Sequence, residues 1–109
     1  MTVRTKEQGD LLLVYLRDRV SMEDALEFGR TMKEAMEEEW RKIIVIVTSK
    51  VINSHCLGTL FASHRDALEC GKTVCVVCDQ PESRSSIRNF DPEKNLPLYH
   101  TLEEALLND

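Results

Sequence analysis

The sequence predicts an α/β fold, in which a mixed β-sheet with an N-terminal hairpin carries about four helices. Short β-branched runs alternate with segments whose apolar residues recur at helical spacing. The connections between these segments are short, which favours right-handed strand–helix–strand crossovers and a mostly parallel sheet. The chain has 109 residues, a length that suits one domain and is short for two. The predicted element order is β-β-α-β-α-β-α-β-α, with a short last strand.

The N-terminal hairpin is predicted over residues 2–16. Residues 2–7 alternate weakly between polar and apolar side chains, as a short edge strand does. A turn centred on Gly9 follows, because glycine takes positive φ values without steric cost. Residues 11–16 are then an apolar run with the length of a buried strand.

The first helix is predicted over residues 22–38. Ser21 precedes it as an N-cap, and Asp24 lies three residues later, in the spacing of a capping box. An apolar stripe at helical spacing is expected to face the core. Its members are Met22, Ala25, Leu26, Gly29, Met32 and Met36.

A central strand and a second helix are predicted next. Residues 42–48 are almost continuously β-branched, which is typical of a strand covered on both faces. Ser54 is predicted to cap a helix that runs to about Cys70, and Gly71 ends it. Because His64 lies on the apolar stripe of this helix, we expect a hydrogen-bonded histidine at the edge of the core. The stripe consists of Leu57, Leu60, Phe61, His64 and Leu68.

The C-terminal part repeats the alternation with shorter elements. Residues 73–78 form another apolar run of strand length, and a helix over residues 81–89 begins with proline, which suits the first helical turn. Residues 98–100 are predicted as a short strand. Thr101 begins a capping-box sequence for a last helix that runs to about Leu107.

Charge and hydropathy exclude several classes of protein. The chain carries 14 Lys and Arg against 19 Asp and Glu, a formal net charge of −5. Sequence-independent binding of nucleic acid needs a surplus of cations on one face instead. The longest apolar runs, residues 11–16 and 43–47, are far shorter than the roughly 20 residues of a transmembrane helix. Because the N-terminus has no apolar signal region, we expect a cytoplasmic protein that binds neither nucleic acid nor membrane.

The cysteines and histidines indicate no catalytic or metal chemistry. The four cysteines are expected to be reduced thiols, because nothing in the sequence indicates export. Cys75 and Cys78 have C-x-x-C spacing, but they lie in a predicted strand, so their side chains point to opposite faces. The histidines, His55, His64 and His100, have no metal-ligand spacing. With no glycine-rich phosphate loop and no nucleophile elbow, the sequence predicts no enzyme, no metal and no cofactor.

The segment with the clearest functional signal is residues 51–60. It follows a buried strand and opens a helix, so it presents free N–H groups and a partial positive charge. Such a helix start favours a phosphate, a carboxylate or a polar residue of a partner. The central part of the segment is Ile52-Asn53-Ser54-His55-Cys56-Leu57-Gly58.

This segment resembles the Ile-Asp-Ser-Ser-Gly-Leu-Gly pattern of the STAS domain, the fold of bacterial anti-sigma-factor antagonists. The order of elements is similar over essentially the whole chain, so the resemblance implies a single STAS-like domain over residues 1–109. In that family the unmodified domain binds an anti-sigma factor that is also a serine kinase. Phosphorylation of the second serine adds about −1.5 to −2 charge and breaks the complex. This sequence has His55 in place of that serine, Asn53 in place of the acid and Cys56 in place of the glycine.

The resemblance therefore implies a non-enzymatic module that docks a regulatory protein partner without the usual serine phosphorylation switch. The loop of residues 18–21, which begins at Asp18, is expected to flank the docking site. Ser54 is the remaining candidate for phosphorylation, but as an N-cap its oxygen would turn back toward helix amides. A homodimer is compatible with the sequence as well. The expected partner-binding residues are Asn53, Ser54, His55, Cys56, Leu57, Gly58 and Thr59.

Two other functions stay open. A small-ligand or thiol redox sensor would use Cys56 and His55, because a thiol near a helix start can have a lowered pKa. Burial of Cys56, where the family has glycine, is the structural alternative. His55 is expected to point outward as a neutral contact residue, since the helix dipole disfavours the imidazolium ion. An enzyme would need a pocket that the sequence does not show.

Overall fold

The computed structural model describes residues 3–17, 19–91 and 93–108, and within these ranges it has five strands and four helices. The predicted α/β fold with an N-terminal hairpin is confirmed. The strands are β1 (Val3–Gln8), β2 (Leu11–Leu16), β3 (Lys42–Val47), β4 (Thr73–Cys78) and β5 (Leu98–Tyr99). The helices are α1 (Met22–Glu37), α2 (Ser54–Cys70), α3 (Pro81–Phe90) and α4 (Leu102–Leu107). In the described ranges, no helix has the length and apolar content that crossing a membrane requires.

The strands form one mixed sheet in the order β1-β2-β3-β4-β5. β1 pairs antiparallel with β2, around a turn in which Gly9 has a φ of 62°, and the other neighbours pair in parallel. The last residues of β2, β3 and β4, which are Leu16, Val47 and Cys78, are register partners. We call this side of the sheet the carboxyl edge. Because α1 and α2 both begin there, their first turns are brought together.

Each face of the sheet has its own core cluster. The larger cluster includes residues of α1, α2 and α3, and the smaller one includes residues of α4. All six residues of β3 are buried, and alternate residues belong to different clusters, with Val45 in the larger and Ile44 in the smaller. Cys78 lies in the larger cluster and Cys75 in the smaller one. The prediction that these two thiols point to opposite faces is therefore confirmed.

The side of α1 that meets the core is rotated from the predicted stripe. Phe28 and Met32 are 0% and 1% exposed, whereas Met22 and Leu26 are 60% and 49% exposed. Residues 25, 28, 32 and 35 form a second stripe of the same helical period, and this one faces the sheet. The prediction is therefore wrong at Met22 and Leu26, which lie on the side of the helix that runs along α2.

The predicted stripe of α2 is wrong at its C-terminal end. Leu57 and Leu60 are buried, but Leu68 is 66% exposed. Ser63 and Ala67 are buried in its place, because the last turns of the helix present smaller side chains to the sheet. Gly71 ends the helix with a φ of 74°, which confirms the predicted stop.

His64 lies at the edge of the core, as expected, but its ring has no hydrogen-bond partner among the described residues. The residue is half-buried, and both ring nitrogens are shielded without a hydrogen-bond partner among the described residues. Three residues earlier, Phe61 stacks on Phe90 of α3, with ring centroids 5.0 Å apart. This side of α2 therefore packs on α3 through aromatic contact. The prediction that His64 is hydrogen-bonded is wrong for partners among the described residues.

Candidate functional site

The start of α2 is organised by Asn53. Its side-chain Oδ1 accepts a hydrogen bond from the Cys56 N–H at 2.8 Å, and its carbonyl oxygen accepts one from the Leu57 N–H at 3.1 Å. Asn53 is therefore the N-cap, with an extended backbone. The prediction that Ser54 caps the helix is wrong, because asparagine is as good a cap as serine and stands one residue earlier. Ser54 is the first helical residue, and its side chain is exposed.

Alanine variants at these two positions test the capping assignment. Asn53→Ala is expected to lower the free energy of unfolding by about 1 kcal/mol, because it removes the acceptor of the Cys56 N–H. Ser54→Ala is expected to change it by less than about 0.5 kcal/mol. Urea denaturation followed by circular dichroism measures both values. An equal loss in the two variants would contradict the assignment of Asn53 as the cap.

The seven residues predicted to bind a partner divide by burial. Cys56 and Leu57 are 0% and 7% exposed, and both belong to the larger core cluster. They hold the helix start against the core and are not available to a partner that docks on the folded domain. The others reach the surface to different degrees: Ser54 and His55 are exposed, and Asn53, Gly58 and Thr59 are half-buried.

A surface cavity of about 660 Å³ lies at the carboxyl edge, between the loops that lead into α1 and α2. The loops meet because β2 and β3 are neighbours. Their ends are tied by a hydrogen bond from the Thr48 N–H to the Leu16 carbonyl oxygen at 3.0 Å. The lining residues are Arg19, Val20, Thr48, Lys50, Val51 and Asn53.

The cavity bears on two of the sequence predictions. Arg19 and Val20 line it together with Asn53, so this part of the 18–21 loop does lie beside the start of α2. Asp18, which begins that loop, lies outside the described residues. His55 and Cys56 do not line the cavity. It is therefore not the ligand pocket that the sensor hypothesis requires.

Three exposed apolar side chains lie at the N-terminal end of α1 and in the loop that leads into α2, and one of them, Val51, lines the cavity. Met22, Leu26 and Val51 are 60%, 49% and 61% exposed. Helical periodicity assigned the first two to the core, and the sequence pattern did not single out Val51 as a surface residue. The signal that could have found Met22 is the capping box at Ser21, because it places Met22 in the first turn, where the sheet ends.

α1 packs on α2 at the turns that carry Gly29 and Thr59. The two helices follow parallel strands and therefore run in the same direction. An added Cβ at Gly29 would lie 3.9 Å from Thr59 Oγ1, so these residues mark where the helices touch. The next turn toward the carboxyl edge carries Leu26 on α1 and His55 on α2. An exposed apolar side chain on α1 and an exposed polar side chain on α2 thus lie one turn beyond this contact, toward the carboxyl edge.

The loop of residues 48–53 is hydrogen-bonded to α3. The Ser83 hydroxyl is 0% exposed and lies 2.8 Å from the Ser49 carbonyl oxygen and 2.9 Å from that of Lys50. Its single proton is therefore shared between two acceptors. Lys50 also pairs with Glu82 at 4.0 Å, but both side chains are largely exposed, so this pair adds little stability. α3 thus positions the loop through the buried hydroxyl.

The environment of Cys56 is the opposite of what a reactive thiol needs. Burial, and secondarily the carboxylate of Asp24, raise the pKa of the Cys56 thiol from 9.0 to about 11. That carboxylate is fixed nearby because it accepts hydrogen bonds from the N–H and hydroxyl of Ser21. The lowered pKa that the redox hypothesis requires is not found, since desolvation of the thiolate outweighs the helix dipole. The structural alternative, burial of Cys56, is confirmed. The redox hypothesis therefore loses its reactive group at Cys56.

Stability is expected to fall with rising pH above 9. Between pH 9 and about 11, the native state keeps the Cys56 thiol protonated while the unfolded chain loses that proton, so the free energy of unfolding decreases. Burial of Cys75, whose pKa is also about 11, acts in the same direction. Urea denaturation of the wild-type chain and Cys56→Ala across this range isolates the contribution of Cys56, on the order of 1 kcal/mol. Parallel pH profiles would contradict it.

The side chain of His55 is exposed, as the sequence predicts. It lies in the first turn of α2, two residues after the cap Asn53. In the part of the chain that the structure describes, no group of three or more His, Cys, Asp and Glu side chains is arranged to hold a metal ion. At this edge of the domain, exposed polar side chains such as His55 therefore occur together with the exposed apolar side chains of Met22, Leu26 and Val51.

Known proteins resemble this chain in structure rather than in sequence. No protein-family model and no curated protein matches it. An anti-sigma factor antagonist from Mycobacterium paratuberculosis has the same fold, with a TM-score of 0.83 and 20% identity over 97% of this chain and 91% of that chain. A variant of RsbS from Moorella thermoacetica matches with a TM-score of 0.79 and 11% identity, over 97% and 92%.

The third similar protein is the anti-sigma factor antagonist SpoIIAA. Its unphosphorylated form matches with a TM-score of 0.75 and 10% identity, over 96% of this chain and 94% of that chain. A phosphorylated form of SpoIIAA, a Bacillus cell fate determinant, matches with a TM-score of 0.70 and 12% identity, over 95% and 96%. The chain therefore has the fold of the anti-sigma-factor antagonists, the STAS fold that its sequence resembles.

Proposed function

We propose that this chain acts in the cytoplasm as a non-enzymatic interaction module that binds a regulatory protein of the anti-sigma factor or serine-kinase type. The observation that carries the proposal is the set of exposed apolar side chains at the N-terminal end of α1 and in the loop before α2, on a fold that anti-sigma-factor antagonists share. We call this region the docking surface. It consists of Arg19, Val20, Met22, Leu26, Val51, Asn53, Ser54, His55, Gly58 and Thr59.

The docking surface combines apolar and polar groups as protein–protein contacts do. Among the described residues, seven large hydrophobic side chains are exposed, and three of them, Met22, Leu26 and Val51, lie here. Arg19 and His55 contribute polar groups beside them. An apolar patch with a polar rim is typical of an interaction site. We therefore expect the partner to present apolar side chains to this surface.

We further propose that serine phosphorylation does not gate this binding. Position 55 carries an imidazole in place of the hydroxyl that a serine kinase needs, and Asn53 adds no charge beside it. Ser54 is the residue that tests this part of the proposal. Its hydroxyl is exposed and does not cap the helix, so capping no longer argues against its phosphorylation. The remaining reason is its position, because Ser54 matches the first serine of the family pattern and the acceptor is the second.

The experiment is incubation of the chain with ATP and an anti-sigma factor kinase that it binds, followed by peptide mass spectrometry. We expect no stoichiometric phosphate on Ser54 and equal partner affinity for the wild-type chain and Ser54→Ala. Ser54→Asp serves as the matched variant that adds charge at the same position. Stoichiometric phosphate on Ser54, together with release of the partner, would show that binding is gated after all.

A further inference from the structure

The second face of the sheet is covered by a short helix. α4 has six residues, Leu102–Leu107, and Thr101 caps it with a side-chain oxygen that accepts from the Glu104 N–H at 3.2 Å. Ala105 is its one fully buried residue, while Leu106 and Leu107 are 40% and 79% exposed. α4 thus buries far less apolar surface than α1, which places Phe28 and Met32 in the larger cluster.

A buried lysine holds the C-terminal end of α4. Lys42, the first residue of β3, is 2% exposed. Its ammonium group donates hydrogen bonds to the carbonyl oxygen of Ala105, at 2.6 Å, and to that of Asn108. These belong to the carbonyl groups at a helix end that have no partner within the helix. Lys42 therefore ties α4 to a strand about 60 residues earlier in the chain.

α4 covers apolar side chains of the smaller core cluster. Ile44 and Cys75 are 0% exposed there, and Ala105 belongs to the same cluster. Burial raises the pKa of the Cys75 thiol to about 11. Detachment of α4 would bring this thiol into contact with water, whereas the larger cluster on the opposite face would stay covered by α1, α2 and α3.

We propose that α4 detaches from the sheet while the rest of the domain stays folded. The hydrogen bonds of Lys42 hold α4 in its closed position. The physical reason is that local opening needs less free energy where few apolar contacts are broken. Opening of α4 breaks the contacts of Ala105 and Leu102 and the hydrogen bonds of Lys42. Opening of α1 would expose the centre of the larger cluster.

The distribution of the four cysteines provides the test, without any partner protein. Cys75 lies under α4, Cys56 and Cys78 lie in the larger cluster, and Cys70 is exposed. The chain is alkylated with iodoacetamide, and peptide mass spectrometry follows each thiol. We expect Cys70 to react first, Cys75 next, and Cys56 and Cys78 together only on global unfolding.

Low urea concentrations separate local from global opening. Local opening exposes little surface, so the Cys75 rate is expected to stay nearly constant at low urea. The rates of Cys56 and Cys78 are expected to rise steeply, because they follow global unfolding. If Cys75 reacts at the same rate as these two thiols at every urea concentration, α4 does not open separately and the proposal is overturned.

A pair of lysine variants tests whether Lys42 holds α4 on the sheet. Lys42→Met keeps the apolar stem and removes the ammonium group, and it is expected to raise the Cys75 rate at least about tenfold. Lys72→Met is the matched control, because Lys72 donates in the same way to the carbonyl oxygens of Ala35, at 3.2 Å, and Glu38 at the end of α1. It is expected to leave the Cys75 rate unchanged. A rise at Cys75 in both variants, or in neither, would overturn the role of Lys42.

A second variant keeps the proposal testable if Lys42→Met does not fold. Ala105→Gly weakens α4 itself, since glycine in a helix costs about 1 kcal/mol relative to alanine. We expect the Cys75 rate to rise about fivefold and to stay nearly independent of low urea. The Cys56 and Cys78 rates are expected to rise by a similar factor but to stay far below the Cys75 rate, because α4 is lost in global unfolding as well. A Cys75 rate in this variant that equals the Cys56 and Cys78 rates and has the same urea dependence would mean that α4 unfolds only with the whole domain.

Discussion

Phe28→Ala is expected to lower the free energy of unfolding by about 3–5 kcal/mol. The ring is 0% exposed in the larger core cluster, so its removal loses the transfer free energy of the side chain and leaves a cavity under α1. For a domain of this size, such a loss corresponds to a decrease of the Tm by more than about 10 °C. Urea denaturation and calorimetry measure the two quantities.

Leu26→Ala is the matched control on the same helix. Helical periodicity places Leu26 in the core, but it is 49% exposed. Its truncation is therefore expected to change the free energy of unfolding by less than about 1 kcal/mol. Losses of similar size in the two variants would mean that α1 presents the predicted stripe to the sheet after all.

We expect a double variant of the docking surface to bind its partner at least about 100-fold more weakly than the wild-type chain. In Met22→Asp with Leu26→Glu, two exposed apolar side chains become carboxylates, which a partner must desolvate on binding. The fold is expected to tolerate both changes, because the positions are exposed and the acid at position 22 lies in the first turn of α1, where negative charge is favourable. Isothermal titration with an anti-sigma factor that binds the wild-type chain measures the loss.

Leu68→Glu is the control for a charge placed on an exposed leucine elsewhere. Leu68 lies near the other end of α2 and is 66% exposed, so its replacement is expected to leave the affinity unchanged. Unchanged affinity in the double variant would remove the docking surface from the binding site. A dimer of the chain alone that dissociates in the double variant would assign the surface to self-association instead.

The elements of the fold follow from local sequence. β3 is predicted from an unbroken run of β-branched residues, and all six of its residues are buried. The capping boxes at Ser21 and Thr101 and the stop at Gly71 are found where the sequence predicts them. These features depend on neighbours a few residues away, and the printed sequence contains those neighbours.

The sequence predicts where the candidate site lies but not how its side chains are arranged. The sequence locates the start of α2 and the adjoining loop, but it assigns the cap to Ser54 when Asn53 makes the hydrogen bond. Both residues have the required side-chain oxygen, so a pattern of residue types does not choose between them. The backbone position that puts the oxygen near the Cys56 N–H makes the choice.

The sequence by itself determined the order of strands and helices and the mostly parallel pairing of the strands. It also determined the location of the helix start that forms the candidate site. Only the tertiary structure decided which stripe of α1 faces the sheet, and hence that Met22 and Leu26 are exposed. It alone decided that Cys56 is buried near Asp24. The physical reason is that periodicity and capping act over a few residues. Exposure and pKa depend on side chains that folding brings together from distant parts of the chain.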